Sequence, residues 1–220
     1  MEKSNKRVLK IILNILLDIA IVFLIAVCGL FAFFKFSYSE AVVSGPSMYP
    51  TLNGGEIEDV VGIKANASFT YGDIVTCESD KTDEKGNKIV IVKRVIAMAG
   101  DMVDLRFNID GELVIVLNGK VLDEPYIEKR ATLADNPVAY THWVSYVATA
   151  GEAYEVGKGL LIGENEVFLV GDNRLVSNDS TSMGPFNVDK VQGKVEFVYK
   201  KNDNAFLAFI NQIVFGKKKI

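Results

Sequence analysis

Residues 11 to 34, IILNILLDIAIVFLIAVCGLFAFF, form an apolar run interrupted by only Asn14 and Asp18. A helix needs about 20 such residues to cross a bilayer, so this run predicts a membrane-spanning helix rather than a core element. Lys3, Lys6, Arg7 and Lys10 precede it, whereas Lys35 and Glu40 closely follow. That bias places residues 1–10 in the cytoplasm, an anchor over 11–36, and the rest outside the plasma membrane. A cleavable leader would have an apolar core of about 7 to 15 residues ending at a small-residue site. Here the run continues to Phe34, and Val27 fits poorly as the residue before a lipoprotein cysteine at Cys28. An uncleaved anchor is the expectation.

Counts then remove chemistries. The chain of 220 residues has a net charge of -4, without the clustered basic excess that phosphate backbones require. His142 is the single histidine and no CxxC pair occurs, so neither a multi-histidine metal site nor a zinc ribbon can be built. Any Ser-His-Asp triad would have to use His142, which lies in a polar stretch read as surface or loop. Cys28 belongs to the apolar run and Cys77 to the aqueous part, so two free thiols are expected.

Beyond the anchor, β-branched runs (DIVTC, KIVIVKRVIAM, ELVIVLNG, EVFLVGD) alternate with Gly, Asn and Asp turns. This predicts a mainly β domain over 37–200, antiparallel and partly barrel-like, with no strong helical periodicity between 40 and 200. Residues 123–162 are less regular and read as an inserted smaller lobe or long loops. The tail 201–220 spaces Phe206, Phe209, Ile210 and Ile213 at helical intervals and ends near Lys217, Lys218 and Lys219. It reads as an amphipathic basic helix, lying on anionic lipid or packed on the domain.

Three segments could carry chemistry. Ser44–Leu52, SGPSMYPTL, is a loop fixed by Gly45 and Pro46 that closely follows the anchor. In KIVIVKRVIAM, alternation puts Lys93 on one face with Ile91, Val95 and Ala97. A solvated lysine offers roughly one free amine in a few thousand at neutral pH. Burial among aliphatic side chains disfavours the ammonium and makes the amine available as a base for a serine hydroxyl. Lys93 and Arg94 could equally be charges on a strand edge. The third segment, Gly171–Ser180, reads as a polar turn or as a loop supporting a neutral amine.

Together these segments resemble the bacterial type I signal peptidases, the Ser/Lys peptidases that cut signal peptides from exported proteins, in their Gram-positive pattern. The resemblance is carried by GPSMYPTL at 45–52, YGDIV at 71–75, KRVIAMAGD at 93–101, NGKVLDEPYI at 118–127 and GDNRLVSNDS at 171–180. It implies Ser47 as nucleophile and Lys93 as general base, with no cofactor or metal. It implies that Ser177 hydrogen-bonds the lysine, that Asp179 is a structural acid, that Gly171, Asp172, Asn173 and Arg174 shape the loop, and that Met48 packs the nucleophile turn. It also implies shallow pockets for small residues before the cut (Ala-X-Ala), secretory preproteins as substrates, and a place in the bilayer near the export channel.

The chain departs from that pattern. Gly45 stands where some members carry a hydroxyl for the oxyanion, leaving the Ser47 backbone N–H and another donor. Thr181 replaces a usual arginine, so Asp179 needs a different partner, with Arg94 and Arg174 as candidates. Met183-Gly184 stands where an aromatic residue followed by glycine is usual. The rival from another class is a catalytically inactive, membrane-tethered β-domain binding module. A self-cleaving repressor-type peptidase would lack the anchor.

Overall fold

The computed structural model describes residues 2–135 and 137–215. Two units are distinguished, Met1–Ser39 and Glu40–Ile220.

The first unit is helix α1, Glu2–Ser37. Its stretch Arg7–Ser37 is 31 residues long and contains an 18-residue window with a mean hydropathy of 2.9, long and apolar enough to cross a membrane. Helical backbone continues through the basic N-terminal residues without a break at Lys10.

In the second unit, two antiparallel sheets carry the fold. The larger contains β1 (Ser39–Val42), β2 (Asp59–Ala65), β3 (Ile74–Thr82), β4 (Lys88–Met98), β10 (Glu166–Val170), β11 (Phe186–Asn187) and β12 (Val191–Lys200), in the order β1-β2-β12-β3-β4-β10-β11. The smaller contains β5 (Met102–Phe107), β6 (Leu113–Leu117), β7 (Lys120–Val121), β8 (Tyr154–Glu155) and β9 (Gly159–Leu161), in the order β7-β6-β5-β9-β8. The mainly β, antiparallel expectation holds, and neither sheet closes into a barrel. The irregular segment 123–162 contributes β8 and β9 to a sheet that already begins at Met102.

One expectation fails there. Helix α2, Pro137–Thr149, occupies sequence read as lacking helical periodicity. Proline is tolerated at a first helical position, and Tyr140, Trp143, Tyr146 and Val147 turn one face inward. Trp143 is buried and meets the edge of Phe168 on β10 at 6.0 Å between ring centroids. β-Branched and aromatic residues of low helix propensity hid this periodicity. His142 lies on the exposed face of α2, at the surface but in a helix rather than a loop.

Three apolar clusters hold the unit together. Trp143, Phe168, Ile96, Leu105 and Leu160 join the two sheets. Met48, Leu52, Val61, Ile63 and Val195 seat the loop after β1. Val75, Cys77, Val95 and Leu169 fill a third, with Ile91 packed against it. Ala97 belongs to the first cluster, not to the face of Lys93. The register between β4 and β10 slips between Phe168 and Leu169, which ends the simple alternation beyond Val95.

After the short helix α3, Ser180–Met183, the tail forms α4, Ala205–Phe215, packed on β12, with the Phe209 and Phe197 ring centroids 5.9 Å apart. The tail thus touches the domain, while Lys217 to Lys219 lie outside the described residues. Cys28 and Cys77 are free thiols. Burial raises the Cys77 thiol to about 11, keeping it protonated.

Candidate active site

The turn carrying Ser47 is pinned from below. Met48 and Leu52 are fully buried in the cluster beneath it, and their backbones are joined by a hydrogen bond from Leu52 N–H to the Met48 carbonyl at 2.9 Å. Gly45 adopts φ +88°, a left-handed conformation that favours glycine. With both neighbours of the hydroxyl fixed, Ser47 stands half-buried at the crest of the turn.

Lys93 comes from the middle of the larger sheet, directly opposite Val75 on β3, and only 3% of it is exposed. Its Nζ lies 2.8 Å from Ser47 Oγ and donates to the Val92 carbonyl at 3.1 Å. Burial is the main influence on its pKa, which is held below the ordinary 10.5, with Asp179 and Asp172 pulling in the opposite direction. The ammonium is therefore disfavoured where a free amine can accept the hydroxyl proton.

Residues after β10 brace the pair. Asn173 N–H donates to the Ser47 carbonyl at 3.0 Å. Gly171 fits so closely that a methyl group on it would stand 2.2 Å from Ser177 Oγ and 2.4 Å from the Ser47 carbonyl oxygen. Asp172 is buried and takes Arg94 as a fork, Nε to Oδ1 at 2.9 Å and Nη2 to Oδ2 at 2.6 Å. It also accepts from the Thr51 hydroxyl, tying the nucleophile turn to the same carboxylate. Arg94 donates to the Gly72 carbonyl at 2.7 Å and lies 4.1 Å from the centre of the Tyr126 ring.

The arginines leave Asp179 to other partners. Arg94 belongs to Asp172, while Arg174 pairs with the fully buried Glu124 carboxylate, which also receives Arg130 at 2.9 Å. Asp179 accepts from Gly171 N–H at 2.9 Å and from the backbone and hydroxyl of Thr181 at 3.0 and 2.8 Å. The residue that replaces the usual arginine is thus itself the partner. Ser177 differs from expectation as well: its buried Oγ has no hydrogen-bond partner among the described residues and makes no bond to Lys93.

The sequence reading gave no role to Thr51, Glu124 or Tyr126. Glu124 and Tyr126 stand in the DEPY segment, where a carboxylate amid apolar residues was the available signal for a buried partner. Ser47 and Lys93 open into a cleft of about 440 Å³, bordered by the turn from Ser44 to Pro46, by Ser79, Asp80 and Lys81 of β3, by Ile89 and Ile91 of β4, and by Val176, Asn178 and Met183. Among the described residues no group of His, Cys, Asp and Glu is placed to hold a metal ion.

The arrangement sets a serine hydroxyl beside a buried amine at an open cleft, a geometry compatible with nucleophilic attack on a carbonyl. The family model described as "Signal peptidase, peptidase S26" matches residues 15–200. The chain belongs to that family. A signal peptidase IB of Staphylococcus aureus (strain COL) is 31% identical over 191 residues, covering 86% of this chain and 89% of its own. A signal peptidase I of Bacillus caldolyticus is 30% identical over 181 residues, covering 80% and 86%. The crystal structure of a signal peptidase I from Enterococcus faecalis V583 aligns with a TM-score of 0.35 and 24% identity, over 59% of this chain and 97% of that one. As an S26 peptidase, the chain is a serine endopeptidase that processes signal peptides. Its N-terminal apolar helix is consistent with a membrane anchor.

Proposed function

We propose that this peptidase is held in the plasma membrane by α1, with its N-terminus in the cytoplasm and its β domain outside, and cuts exported preproteins after Ala-X-Ala sites with Ser47 as nucleophile and Lys93 as general base. The observation that carries the reading is the 2.8 Å separation of Ser47 Oγ from a buried Lys93 Nζ.

In the first half-reaction, the Ser47 hydroxyl passes its proton to Nζ as Oγ bonds to the scissile carbonyl carbon. The oxyanion that forms is met by the Ser47 backbone N–H, whose turn is steadied by the Asn173 contact to the Ser47 carbonyl. The ammonium then protonates the leaving nitrogen, the C–N bond breaks, and the signal peptide remains as an ester on Ser47. In the second half, water loses a proton to Nζ and attacks the ester, and that proton returns to Oγ as the acid leaves.

Membrane position supports selectivity. Ser47 follows the end of α1 at Ser37 by a short connection, which favours a preprotein still inserted in the bilayer near the export channel. The test is a preprotein with one Ala-X-Ala site incubated with the full chain in detergent micelles, the products being mapped by mass. A single cut after the second alanine is expected, and a cut elsewhere would refute the assigned specificity.

A further inference from the structure

Glu124 is a buried charge that the dyad chemistry does not use. It follows β7 of the smaller sheet, and its side chain is 0% exposed. Arg174 takes it as a fork, Nη1 to Oε2 at 3.0 Å and Nη2 to Oε1, while Arg130 Nη1 donates to Oε2 at 2.9 Å and the Tyr126 hydroxyl to Oε1 at 3.2 Å. Buried ion pairs contribute little net stability over apolar packing of the same volume, so stability alone does not account for one here.

The far side of Arg174 gives the reason. Its Nε donates to the Gly171 carbonyl at 3.1 Å, and the Gly171 N–H is taken by Asp179 at 2.9 Å, so both polar groups of this glycine are held. Gly171 stands directly against the Ser47 carbonyl, which also accepts from Asn173 N–H at 3.0 Å. A guanidinium is a rigid plane, so fixing both Nη atoms on Glu124 also fixes the direction in which Nε points. Two residues further on, Tyr126 lies under Arg94, whose carboxylate partner Asp172 accepts from the Thr51 hydroxyl of the nucleophile turn. One short segment from the smaller sheet thus supports both arginines that brace the turn.

We propose that Glu124 is a positioning residue for peptide cleavage, acting through Arg174 and the Gly171 carbonyl to hold the turn that presents the Ser47 hydroxyl and backbone N–H. This inference rests on the proposed dyad and deepens it. The charges felt by Lys93 are those of Asp179 and Asp172. Loss of Glu124 should therefore slow the reaction without moving the pH midpoint that the amine sets.

The experiment uses full-length protein in detergent with the Ala-X-Ala preprotein, and compares the parent, Glu124→Gln, Arg174→Lys and the double variant below their unfolding transitions. In Glu124→Gln, kcat should fall by about tenfold or more, with KM and the pH midpoint those of the parent. Arg174→Lys keeps a charge for Glu124 but cannot make the fork and reach Gly171 together, so kcat should fall comparably. The double variant should fall no further, because the two residues act as one unit. If Glu124→Gln does not fold, Arg174→Lys, which leaves no buried charge without a counter-charge, decides the matter alone. An unchanged kcat in either folded variant, losses that multiply in the double variant, a loss carried by KM, or a shifted pH midpoint would overturn the positioning role while leaving the dyad standing. An inert parent, or cleavage by Ser47→Ala, would instead remove the dyad, and this role with it.

Discussion

The Thr181 hydroxyl donates to Oδ1 of Asp179 at 2.8 Å, and the Thr181 backbone N–H reaches the same oxygen at 3.0 Å. A neutral residue thus partners the carboxylate where a guanidinium would otherwise do so. Thr181→Val removes one donor from a carboxylate that is 1% exposed, and about 1 to 3 kcal/mol of stability should be lost in urea unfolding. Thr181→Ser, which retains the hydroxyl, should recover most of it.

The charge on Asp179 has a second consequence. Burial lowers the Lys93 pKa, and Asp179 opposes that lowering. Activity should therefore rise with pH through a midpoint below 10.5, as the amine loses its proton. Asp179→Asn removes the opposing charge, so the midpoint of the kcat/KM profile should move to lower pH. A move to higher pH would contradict this.

The same burial affects folding. Because the Lys93 pKa is lower in the folded chain than in the unfolded one, the unfolded state binds more protons between the two values, and stability increases with pH across that window. Lys93→Met should raise the unfolding free energy at neutral pH. The gain should shrink as pH climbs towards 10.5.

Gly171 has no room for a side chain against the Ser47 carbonyl. Gly171→Ala must displace either the loop or the nucleophile turn. Displacements of about 1 Å are enough to reduce kcat on the order of a hundredfold. Steady-state kinetics on folded variant protein measures this directly.

Arg94 and Asp172 are 3% and 0% exposed at their side chains. Arg94→Ala leaves the carboxylate buried without its fork, and about 3 to 5 kcal/mol should be lost in urea unfolding. Arg94→Lys should not restore it, since a point charge cannot make both bonds.

Much of this site was legible because strand alternation and short motifs are local. Ile91 and Val95 do mark the apolar face of Lys93, and GPSMYPTL does form a fixed turn. Pairings across the fold were less legible. Charge alone could not decide that Arg94 takes Asp172, that Arg174 takes Glu124 from beyond β7, and that Asp179 is left to Thr181. The face of Ala97 depended on a register slip fixed by the partner strand, and α2 was masked by residues that favour strands. Ser177 kept its place beside Gly171 but not its expected bond.

The most direct test of the central claim compares cleavage of an Ala-X-Ala preprotein by the parent, Ser47→Ala and Lys93→Ala, each confirmed folded by its unfolding transition. The account predicts cleavage by the parent and loss of at least about a thousandfold in kcat in both variants, because neither hydroxyl nor base acts without the other. Substantial cleavage by either variant would contradict it.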